Sequence, residues 1–95
     1  MKSVDIQING KTATGAEIPL PKAPLVVASG KDGFVMCGYL NLAVADKMGV
    51  AAAMVRGVST VDDLLAAKVE GFTQAAALKG VTAGMSGKDA LAKFL

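Results

Sequence analysis

Apolar and polar residues alternate strictly at the start of the chain. Val4, Ile6 and Ile8 fall on one side and Ser3, Asp5 and Gln7 on the other, the two-residue period of a strand with one buried face. Asn9-Gly10 follows, a pair that accepts the positive φ values of a type I′ turn. Lys11 to about Ile18 reads as the returning strand, in a register that sets Gln7 opposite Thr12 and Asp5 opposite Thr14. Pro19, Pro21 and Pro24 end the alternation and predict an extended crossing.

Beyond the prolines the apolar runs become short and continuous. Leu25–Ser29 and Phe34–Gly38 read as buried strands joined by a tight Gly30-Lys31-Asp32-Gly33 loop. Leu40–Met48 reads as a helix closed by a left-handed Gly49, and Val50–Val55 as a further strand ending at Arg56-Gly57. Leu78-Lys79-Gly80-Val81 repeats that glycine stop, after a helix expected from about Gly71 to Lys79. Thr60-Val61-Asp62-Asp63 and Ser86-Gly87-Lys88-Asp89 match capping boxes that start two more helices, the second ending near Phe94. Val81–Gly84 is expected as a short strand between them. Hairpins followed by alternating helices and strands predict an α+β fold. It is a two-layer α/β sandwich with a mixed sheet from the N-terminal hairpins plus a β-α-β unit, and helices packed on the sheet.

Composition then limits the readings. The 95 residues make one domain, residues 1–95, and 53% of them are apolar, enough for a packed core. The composition is tilted toward Ala, Val, Gly and Leu with few aromatics, so a lone copy buries modest area and a homo-oligomer is expected. A net charge of +2, spread without a run, gives no support for nucleic acid as a partner. Asn41, Asp46 and Lys47 interrupt the best apolar stretch, so no membrane association is expected. The N-terminal alternation lacks the apolar block of a signal peptide, and a lone cysteine fits a reducing compartment, so a cytoplasmic location is expected.

Histidine is absent from the sequence. That removes Ser-His-Asp and Cys-His catalysis and most zinc sites, and no metal or cofactor is expected. GMSGKD near the C-terminus lacks both the first glycine and the hydroxyl residue of a phosphate-binding loop, with Thr82 and Asp89 in their places. Helix capping by Ser86 and Asp89 accounts for those residues. Met36, Met48, Met54 and Met85 read as core fillers.

The candidate chemistry gathers in the β-α-β unit. If Phe34–Gly38 and Val50–Val55 are parallel, Cys37-Gly38 and Arg56-Gly57 meet at one edge, and the helix near Asn41 starts there. Ser59 and Thr60 begin the next helix close by, and Ser86 joins them if Val81–Gly84 is also parallel. Helix starts and a guanidinium suit a small anion. The expected ligand-binding residues are therefore Gly38, Asn41, Arg56, Gly57, Ser59, Thr60 and Ser86. Cys37 is the candidate nucleophile of an enzyme alternative, with the Asn41 helix start as oxyanion donor and Arg56 as anion clamp. The plain readings stand beside these: Cys37 as a buried apolar residue, Arg56 as a surface partner of Asp62 or Asp63, Asn41 as a cap, and the glycines as close-packing positions in an assembly protein.

GFVMCGYLN, the AxxRGVxTVDDLLxAxVE pattern at Ala53–Glu70 and GVTAGMSGKDAL at Gly80–Leu91 together resemble the YunC-like family, a domain of unknown function from small bacterial and archaeal proteins. The likeness covers almost the whole chain. It implies a compact α/β two-layer sandwich and supplies no activity. Cys37, Gly38, Arg56, Gly57, Gly84, Met85 and Gly87 fall in the motif segments, which implies a shared site at the strand ends.

Overall fold

A computed structural model describes residues 2–38 and 41–95. Its sheet has six strands: β1 (Lys2–Ile8), β2 (Lys11–Ile18), β3 (Leu25–Ser29), β4 (Gly33–Met36), β5 (Ala51–Met54) and β6 (Gly71–Phe72). They stand side by side in chain order, antiparallel throughout except for the parallel β4–β5 pair. The helices are α1 (Leu42–Lys47), α2 (Val61–Ala66), α3 (Gln74–Leu78) and α4 (Gly87–Ala92). The α+β sandwich and its mixed sheet are as the sequence predicts.

The first hairpin takes the predicted register, with Gln7 opposite Thr12 and Asp5 opposite Thr14. Asn9 and Gly10 hold the positive φ values that fix it, 52° and 79°. Ile6, Ile8, Ala13, Val26, Ala28, Val35, Ala51 and Ala53 point to one face. There α2 packs against β2 and β3, and α4 packs against β4 and against α2. Leu64, Leu91 and Phe94 close this core without exposure. Met36 and Ala52 alternate to the opposite face and are equally buried, because α1 packs against β5 on that side. β5 is thus covered on both faces, which is why it reads Ala-Ala-Ala-Met, a continuous apolar run rather than an alternating strand.

The two glycine stops are Schellman motifs of one design. After α1, Gly49 donates to the Asp46 carbonyl and Val50 to that of Ala45; after α3, Gly80 donates to Ala77 and Val81 to Ala76. Both glycines have the required positive φ.

Four predictions need correction. The third helix starts at Gln74, not Gly71, because Thr73 caps it and Gly71–Phe72 pairs with β5 instead. The Thr73 hydroxyl donates to the Val50 carbonyl at 2.7 Å and accepts from the Ala52 and Ala76 amides, so one buried side chain ties strand, loop and helix together. Residues 81–84 are not a strand. Only five residues separate the Gly80 stop from the Ser86 cap, and the chain turns at Gly84, whose amide donates to Val69. The proline crossing bends rather than running extended, with Lys22 at φ 76°. Met48 is not core: it caps the end of α1 and is 72% exposed. The predicted start of α1 at Leu40 lies outside the described residues, as does Tyr39. Among the described residues, no helix is long and apolar enough to cross a membrane.

Candidate functional site

The parallel register of β4 and β5 pairs Met36 with Met54, and Val55 donates to the Met36 carbonyl at 2.9 Å. One residue further on, Cys37-Gly38 and Arg56-Gly57 leave the two strands side by side, the juxtaposition the sequence predicts. Among the described residues, Cys37, Gly38, Arg56, Gly57, Val58, Ala23 and Pro24 line a pocket of about 340 Å³ there. Ala23 and Pro24 come from the bent proline crossing, which supplies the apolar wall.

Gly38 gives the pocket its shape. A Cβ at this position would stand 3.8 Å from Arg56 Cγ and 3.9 Å from its Nη1, so the arginine side chain lies across bare backbone. Gly57 is needed for its φ of 72°, since a Cβ there would meet nothing within 4 Å. The Arg56 guanidinium faces Glu70, with Nε 4.0 Å from Oε1 and both side chains more than half exposed. That replaces the expected pairing with Asp62 or Asp63, which serve the first turn of α2. Such an exposed contact is weak and leaves Arg56 available to another anion.

Cys37 is buried. Its amide donates to the Val26 carbonyl at 3.0 Å, and its Sγ accepts from the Val26 amide at 3.4 Å. The sulfur is therefore held toward β3 while the residue contributes to the pocket wall.

Of the remaining candidates Asn41, Thr60 and Ser86 are helix caps, and Ser59 has its amide taken by Asp63. Asn41 Oδ1 accepts from Ala43 at 2.9 Å and from Val44 at 3.3 Å. Thr60 Oγ1 accepts from Asp63 at 3.0 Å, and Asp63 Oδ2 accepts from Ser59 at 3.1 Å. Ser86 Oγ accepts from Asp89 at 3.0 Å. None of these four residues lines the Cys37 pocket. Ser86 has no parallel strand to carry it there, since residues 81–84 turn away from the sheet.

Glu17 is the residue that sequence reading passed over. It reads as an ordinary position near the end of β2, yet its Oε2 accepts from the Val61 amide at 2.8 Å, 44 residues along the chain. The chain thus holds its own carboxylate at the start of α2, where a guest anion was expected. No local pattern announces a contact at that separation.

Comparison with known proteins matches residues 36–94 to the family model described as Domain of unknown function (DUF1805). The chain belongs to the DUF1805 family. The matched segment runs from Met36, just before the pocket's Cys37-Gly38, to Phe94 and leaves out the N-terminal hairpin. This DUF1805 chain is similar to YunC, an uncharacterized protein of Bacillus subtilis (strain 168), at 36% identity over 94 residues, covering 95% of this chain and 93% of YunC. It is also similar in structure to TA1206 from Thermoplasma acidophilum, a protein of unknown function. There the TM-score is 0.94 at 36% identity, covering 99% of this chain and 92% of that one. The DUF1805 match and the likeness to YunC account for the resemblance in sequence, the likeness to TA1206 for the fold, and none of them assigns an activity.

Proposed function

We propose that this DUF1805 domain binds a small anionic metabolite in the pocket between Cys37-Gly38 and Arg56-Gly57. The observation that carries the reading is the Arg56 side chain lying over the bare backbone of Gly38, beside a pocket of about 340 Å³. That volume is at the small end of ligand sites. The guanidinium takes a carboxylate or phosphate in a two-toothed contact, and Ala23, Pro24 and Val58 receive a short apolar part. Asn41, Ser59, Thr60 and Ser86 then act by fixing the helices, leaving the direct contacts to Gly38, Arg56 and Gly57. Thermal shift with phosphate, sulfate and a panel of small carboxylates tests this. A ligand at a hundred times its Kd adds about 2.7 kcal/mol of stability, and Arg56→Ala removes the shift. No shift with any anion, or an equal shift in Arg56→Ala, overturns it.

A catalytic reading of Cys37 rests on its place in the pocket wall. The buried sulfur and its hydrogen bond from Val26 favour the wall role over the nucleophile. Alkylation by iodoacetamide only on unfolding supports the wall; rapid labelling of the folded protein, blocked by a bound anion, supports the nucleophile. Self-association belongs to the same proposal. β1 ends the sheet as a seven-residue edge without proline, and such an edge accepts a strand from a second copy. Light scattering that finds a monomer at every concentration removes it.

A further inference from the structure

The opposite ends of β4 and β5 carry a different surface. Lys11 and Lys31 line one depression of about 410 Å³, and Lys31 and Lys79 line a second of about 430 Å³ together with Gly49 and Val50. Lys47 precedes the stop at Gly49. Lys93 completes the group, its Nζ 3.7 Å from where a Cβ on Gly80 would stand. All five lysines are exposed.

Asp32 lines both depressions, Asp46 precedes Lys47 and already accepts from the Gln74 amide at 2.8 Å, and Lys11 Nζ donates to the Leu95 carbonyl at 3.3 Å. Five lysines against two aspartates give this end a formal side-chain surplus of three positive charges, more than the +2 of the whole chain. The sequence scatters these residues from position 11 to 93; only the fold assembles them. Lys47, Lys79 and Lys93 stand at helix C-termini, where a cation is favoured. That explains why lysine is chosen at each point but not Lys31, which is on a loop, and it does not cancel the summed field.

Two large apolar side chains stand at the same end. Met48 caps α1 and is 72% exposed; Leu78 is the last residue of α3 and is 84% exposed. Apolar anchors inside a polar rim are the layout of a protein interface, and here the lysines belong to the rim, where charge steers a partner, while Met48 and Leu78 are the anchors. Phe94 is buried and Phe34 half-buried, so among the described residues this end offers nucleobases no open ring to stack on.

We propose that this basic end docks an acidic protein segment carrying apolar side chains. The lysines steer and orient the segment, and Met48 and Leu78 receive its apolar residues. The surface lies away from the Arg56 pocket and does not depend on a ligand there.

Fluorescence anisotropy with labelled peptides tests the docking at low and moderate salt. The probes are an alternating Glu/Leu peptide, Glu/Ser and Gln/Leu controls, and a single-stranded oligothymidine. The Glu/Leu peptide is expected to bind most tightly and to weaken with salt. Affinity should fall about tenfold or more in Lys31→Glu/Lys79→Glu, and similarly in Met48→Ser/Leu78→Ser, while Arg56→Ala binds as wild type. Circular dichroism confirms that each variant is folded; because all four residues are exposed, the folded state should be retained. The proposal is overturned if the Glu/Leu peptide does not bind or binds the charge-reversed protein equally. It is also overturned if the Glu/Ser or Gln/Leu control binds equally well, or if oligothymidine binds more tightly.

Discussion

The two ends of the parallel β4–β5 pair use charge in opposite ways. Where the strands end, the chain's own carboxylates are spent on its own groups: Glu17 holds the first amide of α2, Asp63 holds the Ser59 amide just before its cap, and Glu70 faces Arg56. What remains for a guest is one arginine over a glycine. Where the strands begin, α1 and α3 finish in glycine stops and lysines stand at the ends of α1, α3 and α4, with acids too few to balance them. A helix start is an anion site only while its amides are free, and here α2 shows them taken. The end where α1, α3 and α4 finish, and where the start of α3 is already held by Thr73 and Asp46, is the one left with a surplus of lysines.

The comparison can be broken first at the basic end. Phe94 is fully buried, its carbonyl accepts from Asp32 at 2.8 Å, and its ring lies against Gly33. Phe94→Ala should cost about 3–5 kcal/mol, read by urea denaturation, and should loosen the loop that carries Lys31. Thr73→Val keeps the side-chain shape and removes the hydroxyl that serves three backbone groups. A loss of about 1–3 kcal/mol is expected, with faster hydrogen exchange at the Ala52 and Ala76 amides.

At the other end the effects should be smaller. Glu17→Ala frees the Val61 amide and should cost about 1 kcal/mol, the scale of a lost helix cap. Glu17→Gln, which keeps an acceptor, should recover most of it in the same thermal melts. Arg56→Ala should change stability by less than about 0.5 kcal/mol, since its ion pair is long and exposed, while abolishing any anion-induced shift. A large stability loss in Arg56→Ala would mean that the arginine holds the fold, and the contrast between the two ends would disappear.

What could be read in the sequence was what short range determines. The Asn9-Gly10 turn fixed a hairpin register, and Gly49 and Gly80 marked two helix ends to the residue. The meeting of Cys37-Gly38 with Arg56-Gly57 followed from one parallel crossover. Errors arose where a residue's partner lies elsewhere in the chain. Thr73 looks no different from other threonines until Val50 and Ala52 come to lie beside it. Val81 is buried like a strand residue, yet its segment bonds to Val69 and not to the sheet. Met48 carries an apolar side chain at a helix end that faces out. The basic end was hidden for the same reason, because its lysines are brought together by the sheet and not by spacing.

The strand order has a consequence for how the molecule assembles itself. Each strand lies beside its neighbour in the chain, so most of the sheet closes through short loops, the property that goes with rapid folding. The sheet can therefore grow in the direction of synthesis, from the Asn9-Gly10 hairpin onward. The exceptions come from the last helix and α2: Phe94 seals the β3–β4 loop, and Glu17 waits for Val61. A nascent chain would carry its first four strands with their core face open until α2 and α4 arrive to cover it.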